Sequence, residues 1–390
     1  MTPAARIAAA IDILDRWQVG EEGLDRVLAA WGRAHRFAGS ADRRAIADHC
    51  YAALRRARSA AWVAGVPESR QGRALMLGSL RLDGLDPVAF FTGQGHAPPA
   101  LSDTEHHAKP LEHAPEAVRL DLPDWLLPDL DTIPRAALER LRHRAPLHLR
   151  VNLLKTNRDD ALAALRGEGI AAEPGPLSPT CLSVIEGARR VAGSTAYRDG
   201  LVEIQDAASQ AVADLADPRP GETVLDFCAG GGGKTLALGS AMAGQGRLLA
   251  HDSNPARLAQ LAPRALRAGL EVETLAPGDW QDLRGACDLV VVDAPCSGSG
   301  AWARNPDAKW RLTPARLDAL RQTQAEVLAR GAACVRPGGR LLYATCSLIE
   351  AENGAQVERF LAQAPFRCTE ERRFTPLDGG DGFYAALLQR

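Results

Sequence analysis

The sequence predicts an α/β protein in which a doubly wound parallel sheet follows a small α/β subdomain and an N-terminal all-helical bundle. From Gly221 onward, short β-branched apolar runs alternate with helical stretches, the order that gives a parallel sheet. Before that point the patterns are first helical and then mixed. With 390 residues, 46% of them apolar and 24% charged, the chain is long enough for two or three domains. We predict a bundle over 1–91, a linker over 92–117, a small α/β subdomain over 118–205 and a catalytic domain over 206–390.

Apolar residues repeat at helical spacing through the first 91 residues, with turn breaks at Gly20, at Gly39 and near Gly65. Up to residue 80 there are twelve arginines, no lysine and eight acids, a net charge of 12 − 8 = +4. Five arginines fall on the predicted third helix: Arg43, Arg44, Arg55, Arg56 and Arg58. They indicate either a solvated helix face or an RNA-facing patch. The pattern resembles the NusB-like RNA-binding helical domain.

Residues 92–117 contain four prolines, as linkers do, and four histidines without a metal-ligand spacing: His96, His106, His107 and His113. We expect these histidines to be exposed. Strands are expected at 147–153, 181–185 and 201–205, with a helix at 159–168. Basic residues of this subdomain are either phosphate contacts or ordinary surface charge: Arg150, Lys155, Arg158, Arg189 and Arg190.

Bulk composition excludes several classes of protein. A net charge of −2 means that any nucleic-acid surface must be a local patch. No run approaches 18 uninterrupted apolar residues, so we expect a cytoplasmic protein without a membrane partner. Eight cysteines without a C-x-x-C pair argue against both a zinc site and a disulfide scaffold, and we expect no metal.

Two predicted strands end in cysteine motifs. The run Leu289–Val292 has the composition of a strand covered on both faces, and it leads into Asp293 and Cys296. A second run, 340–344, leads into Cys346, 50 residues later. Open α/β sheets bind ligands at the carboxyl ends of their strands, so both thiols are candidates for the site.

A glycine-rich loop follows another predicted strand, 223–227. It contains Cys228, Ala229, Gly230, Gly231, Gly232, Gly233 and Lys234. Four glycines allow close approach of a ligand to the following helix N-terminus. A phosphate-binding P-loop would need glycine where Cys228 stands, and the dinucleotide fingerprint also fails in spacing.

Acidic residues at the next two strand ends favour a nucleoside ligand with a small tail. Asp252 lies 22 residues after Gly230, where a carboxylate suits ribose hydroxyls, and Asp279 follows the next strand. S-adenosylmethionine matches this set better than a polyphosphate does. Helix capping or a loop turn is the alternative for each acid taken singly.

Paired cysteines beside such a loop suit methylation of cytosine at C5. That carbon becomes reactive only after a nucleophile adds at C6, and a cysteine thiolate is an apt nucleophile. A base must then remove the C5 proton so that the thiolate can leave, and a second cysteine nearby can assist. The alternative is that Cys296 and Cys346 are small buried apolar residues.

The motifs DFCAGGGGKT, DAPCSGSG and YATCS, with QDAASQ and DGFYAALL, resemble those of the Sun (Fmu) family of RNA 5-methylcytosine methyltransferases over residues 120–390. The resemblance implies a Rossmann-like methyltransferase domain that binds S-adenosyl-L-methionine. It implies that Cys346 is the nucleophile and that Cys296 aids product release. Cofactor contacts fall on residues 228–234, Asp252, Asp279 and Asp293, and Asp293 has an alternative or additional role at the cytosine edge. The segment Arg304–Trp310 resembles a family loop and is expected to contact RNA, or else to be a surface loop.

The family usually has proline where this chain has Gly231, so we expect a more flexible loop and weaker cofactor binding. The resemblance favours 16S ribosomal RNA as substrate, with transfer RNA as the nearest alternative. A DNA cytosine methyltransferase would resemble a P-C-Q pattern, and an exocyclic-amine methyltransferase would show N/D-P-P-Y/F. An RNA-binding assembly factor with a vestigial methyltransferase domain is the non-enzymatic alternative. We expect a monomer.

Overall fold

The computed structural model describes residues 1–390 and contains sixteen α-helices and eleven β-strands. The helices are α1 (Pro3–Val19), α2 (Leu24–Ala34), α3 (Ser40–Arg55), α4 (Ala57–Val63), α5 (Gly72–Leu82), α6 (Glu116–Arg119), α7 (Arg135–Arg140), α8 (Arg158–Gly167), α9 (Thr195–Arg198), α10 (Ala207–Leu215), α11 (Gly233–Ala241), α12 (Pro255–Leu258), α13 (Leu261–Ala268), α14 (Pro306–Arg311), α15 (Pro314–Cys334) and α16 (Gly354–Leu361). The strands are β1 (Leu147–Val151), β2 (Ala171–Pro174), β3 (Cys181–Glu186), β4 (Val202–Ile204), β5 (Thr223–Asp226), β6 (Arg247–Ala250), β7 (Glu273–Thr274), β8 (Cys287–Asp293), β9 (Val335–Thr345), β10 (Arg367–Phe374) and β11 (Phe383–Gln389). No helix is both long enough and apolar enough to span a membrane.

The chain forms two compact units. One comprises Met1–Arg144 and Trp302–Arg311, and the other comprises Ala145–Ala301 and Leu312–Arg390. The helical N-terminal region and the mixed α/β region that follows it are confirmed. The four-part division with boundaries at 91, 117 and 205 stays a prediction.

The first unit is helical and packs around one apolar core. The core draws on the faces predicted from helical spacing, among them Ile7, Leu14, Trp31 and Ile46. Helix α1 begins where the side chain of Thr2 accepts a hydrogen bond from Ala5 N, with proline in the first turn.

The predicted arginine cluster is divided by this packing. Arg56 pairs with Asp83, Arg58 pairs with Asp124, and the Arg55 guanidinium donates to Ala303 O at 2.6 Å. Arg43 and Arg44 are exposed. Four of the five thus make contacts within the unit, since Arg43 also donates to Ala38 O at 2.8 Å, and an RNA-facing role for the cluster stays a prediction. The four histidines of 92–117 are exposed, as expected.

The segment Trp302–Arg311 packs into the helical unit. Asp307 accepts a hydrogen bond from Leu24 N at 3.1 Å, at the start of α2. The indole of Trp310 donates to Leu54 O at 2.7 Å, and Lys309 is only 1% exposed. The expectations of an RNA contact or a surface loop are wrong for Asp307, Lys309 and Trp310, whose side chains are buried.

The second unit contains two sheets. The smaller is antiparallel in the order β2-β3-β1-β4, and β2 was not predicted. The larger has the order β10-β11-β9-β8-β5-β6-β7. Its strands from β9 to β7 are parallel, as predicted, whereas β10 and β11 form an antiparallel edge. The motif DGFYAALL thus lies in a strand that pairs with β9.

Strand β8 is buried on both faces. Val290 and Val292 belong to one apolar cluster, and Leu289 and Val291 belong to another on the opposite face. Strands β5 and β8 are neighbours although β6 and β7 intervene in the chain, so strand order reverses between them. Such a reversal opens a crevice at the carboxyl ends of the strands.

Candidate active site

A cavity of about 740 Å³ lies at this crevice. Its wall includes the glycine-rich loop after β5, Asp252 after β6, Asp293 and Cys296 at and after β8, and Cys346 after β9. Residues far apart in the sequence thus meet because parallel strands end at one edge of the sheet.

The glycine-rich loop requires glycine at two positions. Gly230 and Gly232 have φ values of +54° and +85°, in the left-handed region. The amide of Gly230 donates to Asp252 Oδ2 at 2.8 Å. A Cβ atom at Gly232 would lie 2.2 Å from Leu261 Cδ1. The loop is therefore held against α13 and bonded to the next strand end.

Gly231 differs from its neighbours because it is not in the left-handed region and its amide makes no intramolecular hydrogen bond. A Cβ there would meet only the ends of Arg264 and Gln260, at 3.1 and 3.5 Å. We expect Gly231→Pro to raise the free energy of unfolding by about 0.4–1 kcal/mol, because proline restricts the unfolded chain. Urea unfolding would measure this change. The matched variant Gly232→Ala should destabilise the protein, and a stabilising effect of Gly232→Ala would contradict this description of the loop.

Arg150 supports the glycine-rich loop through hydrogen bonds. It is fully buried, and its guanidinium donates to Gly233 O at 2.8 Å and to the side chain of Gln205. Burial lowers the pKa of Arg150 to about 10. The suggestion that Arg150 contacts phosphate is wrong, because its side chain is committed to the loop.

Asp226 closes β5 and is completely buried. Its Oδ2 accepts from Thr235 Oγ1 at 2.7 Å, whereas Oδ1 has no hydrogen-bond partner. Burial raises the pKa of Asp226 to about 7, since a buried carboxylate lacks the solvation that stabilises its charge.

The raised pKa of Asp226 makes the protein less stable as pH rises. The folded state holds this proton up to about pH 7, whereas an unfolded aspartate loses it near pH 4, so stability is lost across that window. We expect Asp226→Asn to match the parent protein at pH 4 and to exceed it at pH 8. The gain has an upper limit of about 4 kcal/mol, at about 1.4 kcal/mol per pKa unit. Chemical denaturation at both pH values measures the difference, and an equal effect at both would contradict the assignment.

The two predicted thiols lie together. The Sγ atoms of Cys296 and Cys346 are 3.4 Å apart, and both residues are partly buried on the cavity wall. The hydrogen bond to Cys346 and burial raise the pKa of Cys296 well above that of a free thiol. Cys296 is therefore a thiol at neutral pH, and its sulfur lies within hydrogen-bond distance of that of Cys346.

A lysine and an aspartate lie on the same cavity wall. Lys234 Nζ donates to Asp293 Oδ2 at 2.7 Å, with the two side chains 7% and 31% exposed. Burial alone would lower the pKa of Lys234, but the charge of Asp293 outweighs it and raises that pKa. Lys234 is thus a fixed cation, and it lies over the ring of Phe383 at 4.9 Å.

Most of the predicted site residues line this cavity. They are Cys228, Ala229, Gly230, Gly231, Gly233, Lys234, Asp252, Asp293, Cys296 and Cys346. Gly232 caps α11 beside them. Asp279 is exposed and accepts from Ala276 N at 3.1 Å, while its neighbours Gly278 and Trp280 line the cavity. Its contact with a cofactor stays a prediction, as do the roles of the other residues.

Sequence reasoning missed two buried acids of this region, Asp226 and Glu352, and gave the buried Arg150 a different role. Asp226 could have been found, because it ends the predicted strand before the glycine-rich loop. Arg150 and Glu352 bond to residues distant in the chain, and nothing in their local sequence indicates those partners.

Two family models match the chain. One, described as 16S rRNA methyltransferase RsmB/F, matches residues 213–389, and a ferredoxin-like domain of RsmF/B-like methyltransferases matches residues 122–191. A probable ribosomal RNA small subunit methyltransferase B of Synechocystis is 37% identical over 61% of this chain and 56% of its own length. Ribosomal RNA small subunit methyltransferase B of Cronobacter sakazakii is 33% identical over 68% of this chain and 66% of its own length. The protein of the same name from Salmonella arizonae is 32% identical over 71% of this chain and 68% of its own length. The chain thus spans about 56–68% of the length of these relatives.

Solved structures show the same fold. A methyltransferase homolog protein from Pyrococcus horikoshii has a TM-score of 0.63 and 24% identity, over 70% of this chain and 97% of that one. NSun6 from Pyrococcus horikoshii with SFG has a TM-score of 0.61 and 18% identity, over 69% of this chain and 98% of that one. At these identities the likeness is one of fold alone.

Proposed function

This chain belongs to the RsmB/F family of 16S ribosomal RNA methyltransferases, and on that premise we propose that it methylates C5 of a cytosine in 16S ribosomal RNA with S-adenosyl-L-methionine as methyl donor. The observation that carries the proposal is the pair of thiols 3.4 Å apart on the wall of the cavity formed by the glycine-rich loop. A thiol pair beside a nucleoside site suits C5 chemistry, which needs a nucleophile that adds and later leaves.

The residues around the cavity fit S-adenosyl-L-methionine. Asp252 and Asp293 line the cavity and suit a ligand that carries an ammonium and a sulfonium. Asp252 would hold the ribose and the glycine-rich loop would receive the methionine portion. Lys234, the only lysine on the wall, is already paired with Asp293. The cofactor supplies the methyl group.

The two cysteines divide the reaction between them. The thiolate of Cys346 adds to C6 of cytosine, which makes C5 nucleophilic enough to accept a methyl group. After methyl transfer a base, which water can supply, takes the C5 proton. The electron pair of that C–H bond re-forms the C5=C6 double bond, and the C6–S bond breaks to free the Cys346 thiolate. Cys296, whose raised pKa keeps it protonated in the resting state, stabilises the thiolate of Cys346 by its hydrogen bond and assists release.

Lys234 and Asp293 act at the cytosine edge. Asp293 is about one-third exposed toward the cavity, whereas Lys234 is almost completely covered. The carboxylate of Asp293 can accept a hydrogen bond from the base, while Lys234 fixes its position and charge. This arrangement would orient C6 toward the sulfur of Cys346.

A cytosine inside a helix cannot reach the cavity, so the base must be flipped or presented in a loop. Unassembled or partly folded 16S ribosomal RNA is the expected substrate. We propose that the protein acts there as a cytoplasmic monomer.

Incubation of the purified protein with S-adenosyl-L-methionine and either unmodified 16S ribosomal RNA or total transfer RNA tests the proposal. We expect 5-methylcytidine in the 16S RNA digest and one bisulfite-resistant cytosine in its sequence. Methylation of transfer RNA instead would move the substrate to that class. Absence of 5-methylcytidine from both RNAs would contradict the proposed reaction and favour the RNA-binding assembly factor.

A further inference from the structure

A buried carboxylate ties together the two loops that carry the thiols. Glu352 ends the 3₁₀ segment Glu350–Glu352 and has no solvent exposure. Its Oε1 accepts from Ser297 N at 2.8 Å and from Gln324 Nε2 at 2.9 Å. Its Oε2 accepts from the hydroxyls of Ser297 and Ser347, both at 2.5 Å. No arginine or lysine pairs with it, so four hydrogen bonds alone compensate its burial.

The partners of this carboxylate lie next to the reacting sulfurs. Ser297 follows Cys296 and Ser347 follows Cys346, so Glu352 joins two loops that are 50 residues apart in the chain. Tyr343 fixes the other side of Glu352, because its hydroxyl donates to the Glu352 carbonyl at 2.6 Å. Gln324, from α15, also donates to Pro295 O at 3.0 Å, within the first loop.

The two loops also contact each other directly. Ala294 N donates to Ala344 O at 2.8 Å where the strands end, and Leu348 N donates to Ser299 Oγ at 2.8 Å. Gly300 N donates to Cys346 O at 3.0 Å, and the hydroxyls of Ser299 and Ser347 lie 3.0 Å apart. These contacts join the strand end before Cys296 and the part of the first loop beyond it. Between them, Ser297 reaches the second loop through Glu352 and through its hydroxyl, which lies 3.3 Å from that of Ser347. A displacement of about 1 Å between reacting groups can reduce a rate by about 100-fold.

We propose that Glu352 is a positioning residue that sets the separation of the Cys296 and Cys346 sulfurs, and that product release depends on it more than attack on C6 does. The inference rests on the proposed function for its kinetic part. Attack needs only the Cys346 thiolate and the base, whereas release needs both thiols in place. Loss of Glu352 therefore slows release more than it slows adduct formation.

The first experiment needs neither RNA nor cofactor. Phenylarsine oxide condenses with two neighbouring thiols and releases one water, so its affinity reports their spacing. We expect Glu352→Ala to weaken its binding at least tenfold relative to the parent protein, with Cys296→Ala as the background. Glu350→Ala is the matched control and should bind phenylarsine oxide like the parent protein. Glu350 lies two residues before Glu352 and pairs with Arg373, with 42% of its side chain exposed.

The second experiment follows formation and decay of the covalent protein–RNA adduct in a single turnover. We expect the ratio of release rate to formation rate to fall at least tenfold in Glu352→Ala and to recover largely in Glu352→Gln. The amide oxygen can still accept from Ser297 N, and the serine hydroxyls can turn to accept from the amide NH₂. If Glu352→Ala does not fold, the double variant Ser297→Ala/Ser347→Ala removes two of the four bonds and should show the same change.

Unchanged arsenical affinity in a folded Glu352→Ala protein would overturn the proposal, as would equal slowing of both kinetic steps. An effect of Glu350→Ala equal to that of Glu352→Ala would also overturn it. The arsenical measurement stands even if the parent protein makes no 5-methylcytidine, so failure of the proposed reaction is distinguishable from failure of this inference.

Discussion

Cys296→Ala is expected to accumulate a covalent adduct with RNA that survives denaturing electrophoresis. In this variant Cys346 can still attack C6, but the thiol that assists its departure is missing, so the adduct is made faster than it decays. Cys346→Ala should form no adduct. Both variants should lose at least 100-fold in turnover, because each removes a group that acts on the reacting base. Gel shift of the protein under denaturing conditions, with S-adenosyl-L-methionine and 16S ribosomal RNA, measures the adduct.

The exposed cysteine of β10 provides the control for these variants. Cys368 does not line the cavity, so Cys368→Ala should turn over like the parent protein and leave no lasting adduct. Equal loss of adduct in Cys296→Ala and Cys346→Ala would contradict the division of roles. If only Cys346→Ala formed an adduct, the two roles would be reversed, with Cys296 as the nucleophile.

Asp293→Asn should reduce turnover by about 100-fold, the size of effect expected when a reacting base is no longer held in position. The asparagine cannot balance the charge of Lys234, and its hydrogen bonding to the base is weaker than that of a carboxylate. A loss of about 1–3 kcal/mol in stability is also expected. It is smaller than for a completely buried ion pair, because Asp293 is about one-third exposed. Steady-state kinetics at a temperature where the variant is folded measure the effect.

Asp288, at the other end of β8, is the matched control for Asp293. It accepts from Thr223 N at 2.8 Å and pairs with Arg336, away from the cavity. Asp288→Asn should therefore lose stability without a comparable loss of turnover. If Asp288→Asn and Asp293→Asn lose turnover to the same extent, the effect is one of folding and not of chemistry.

The sequence was most informative for residues whose position is set by the strand that directly precedes them. The apolar run Leu289–Val292 predicts a strand buried on both faces, and burial of that strand fixes Asp293 and Cys296 at its carboxyl end. The same reasoning applies to β9 and Cys346. Because parallel strands end at one edge, two independent local predictions were enough to bring the thiols together.

Residues whose partners lie far away in the chain were not predictable in this way. Lys309 and Trp310 are part of a charged stretch after Gly298 and Gly300 that has the composition of a surface loop, yet they are buried and donate to backbone carbonyls of α3. Glu352 is one of several acids in its stretch, and only the fold distinguishes it from the exposed Glu350. The antiparallel strand β10 has five charged residues among its eight, four of them consecutive, on an exposed edge, so its apolar signal is weak.

The central claim is that Cys346 attacks a cytosine in a pocket that it shares with Cys296. RNA that contains 5-fluorocytidine tests it most directly, because fluorine cannot be removed from C5 as a proton can and the adduct is therefore trapped. Mass spectrometry of the digested complex would identify the linked residue. We expect the nucleotide on the tryptic peptide that begins after Arg340 and contains Cys346. Attachment at Cys296, or no attachment with an RNA that the protein otherwise methylates, would contradict the account.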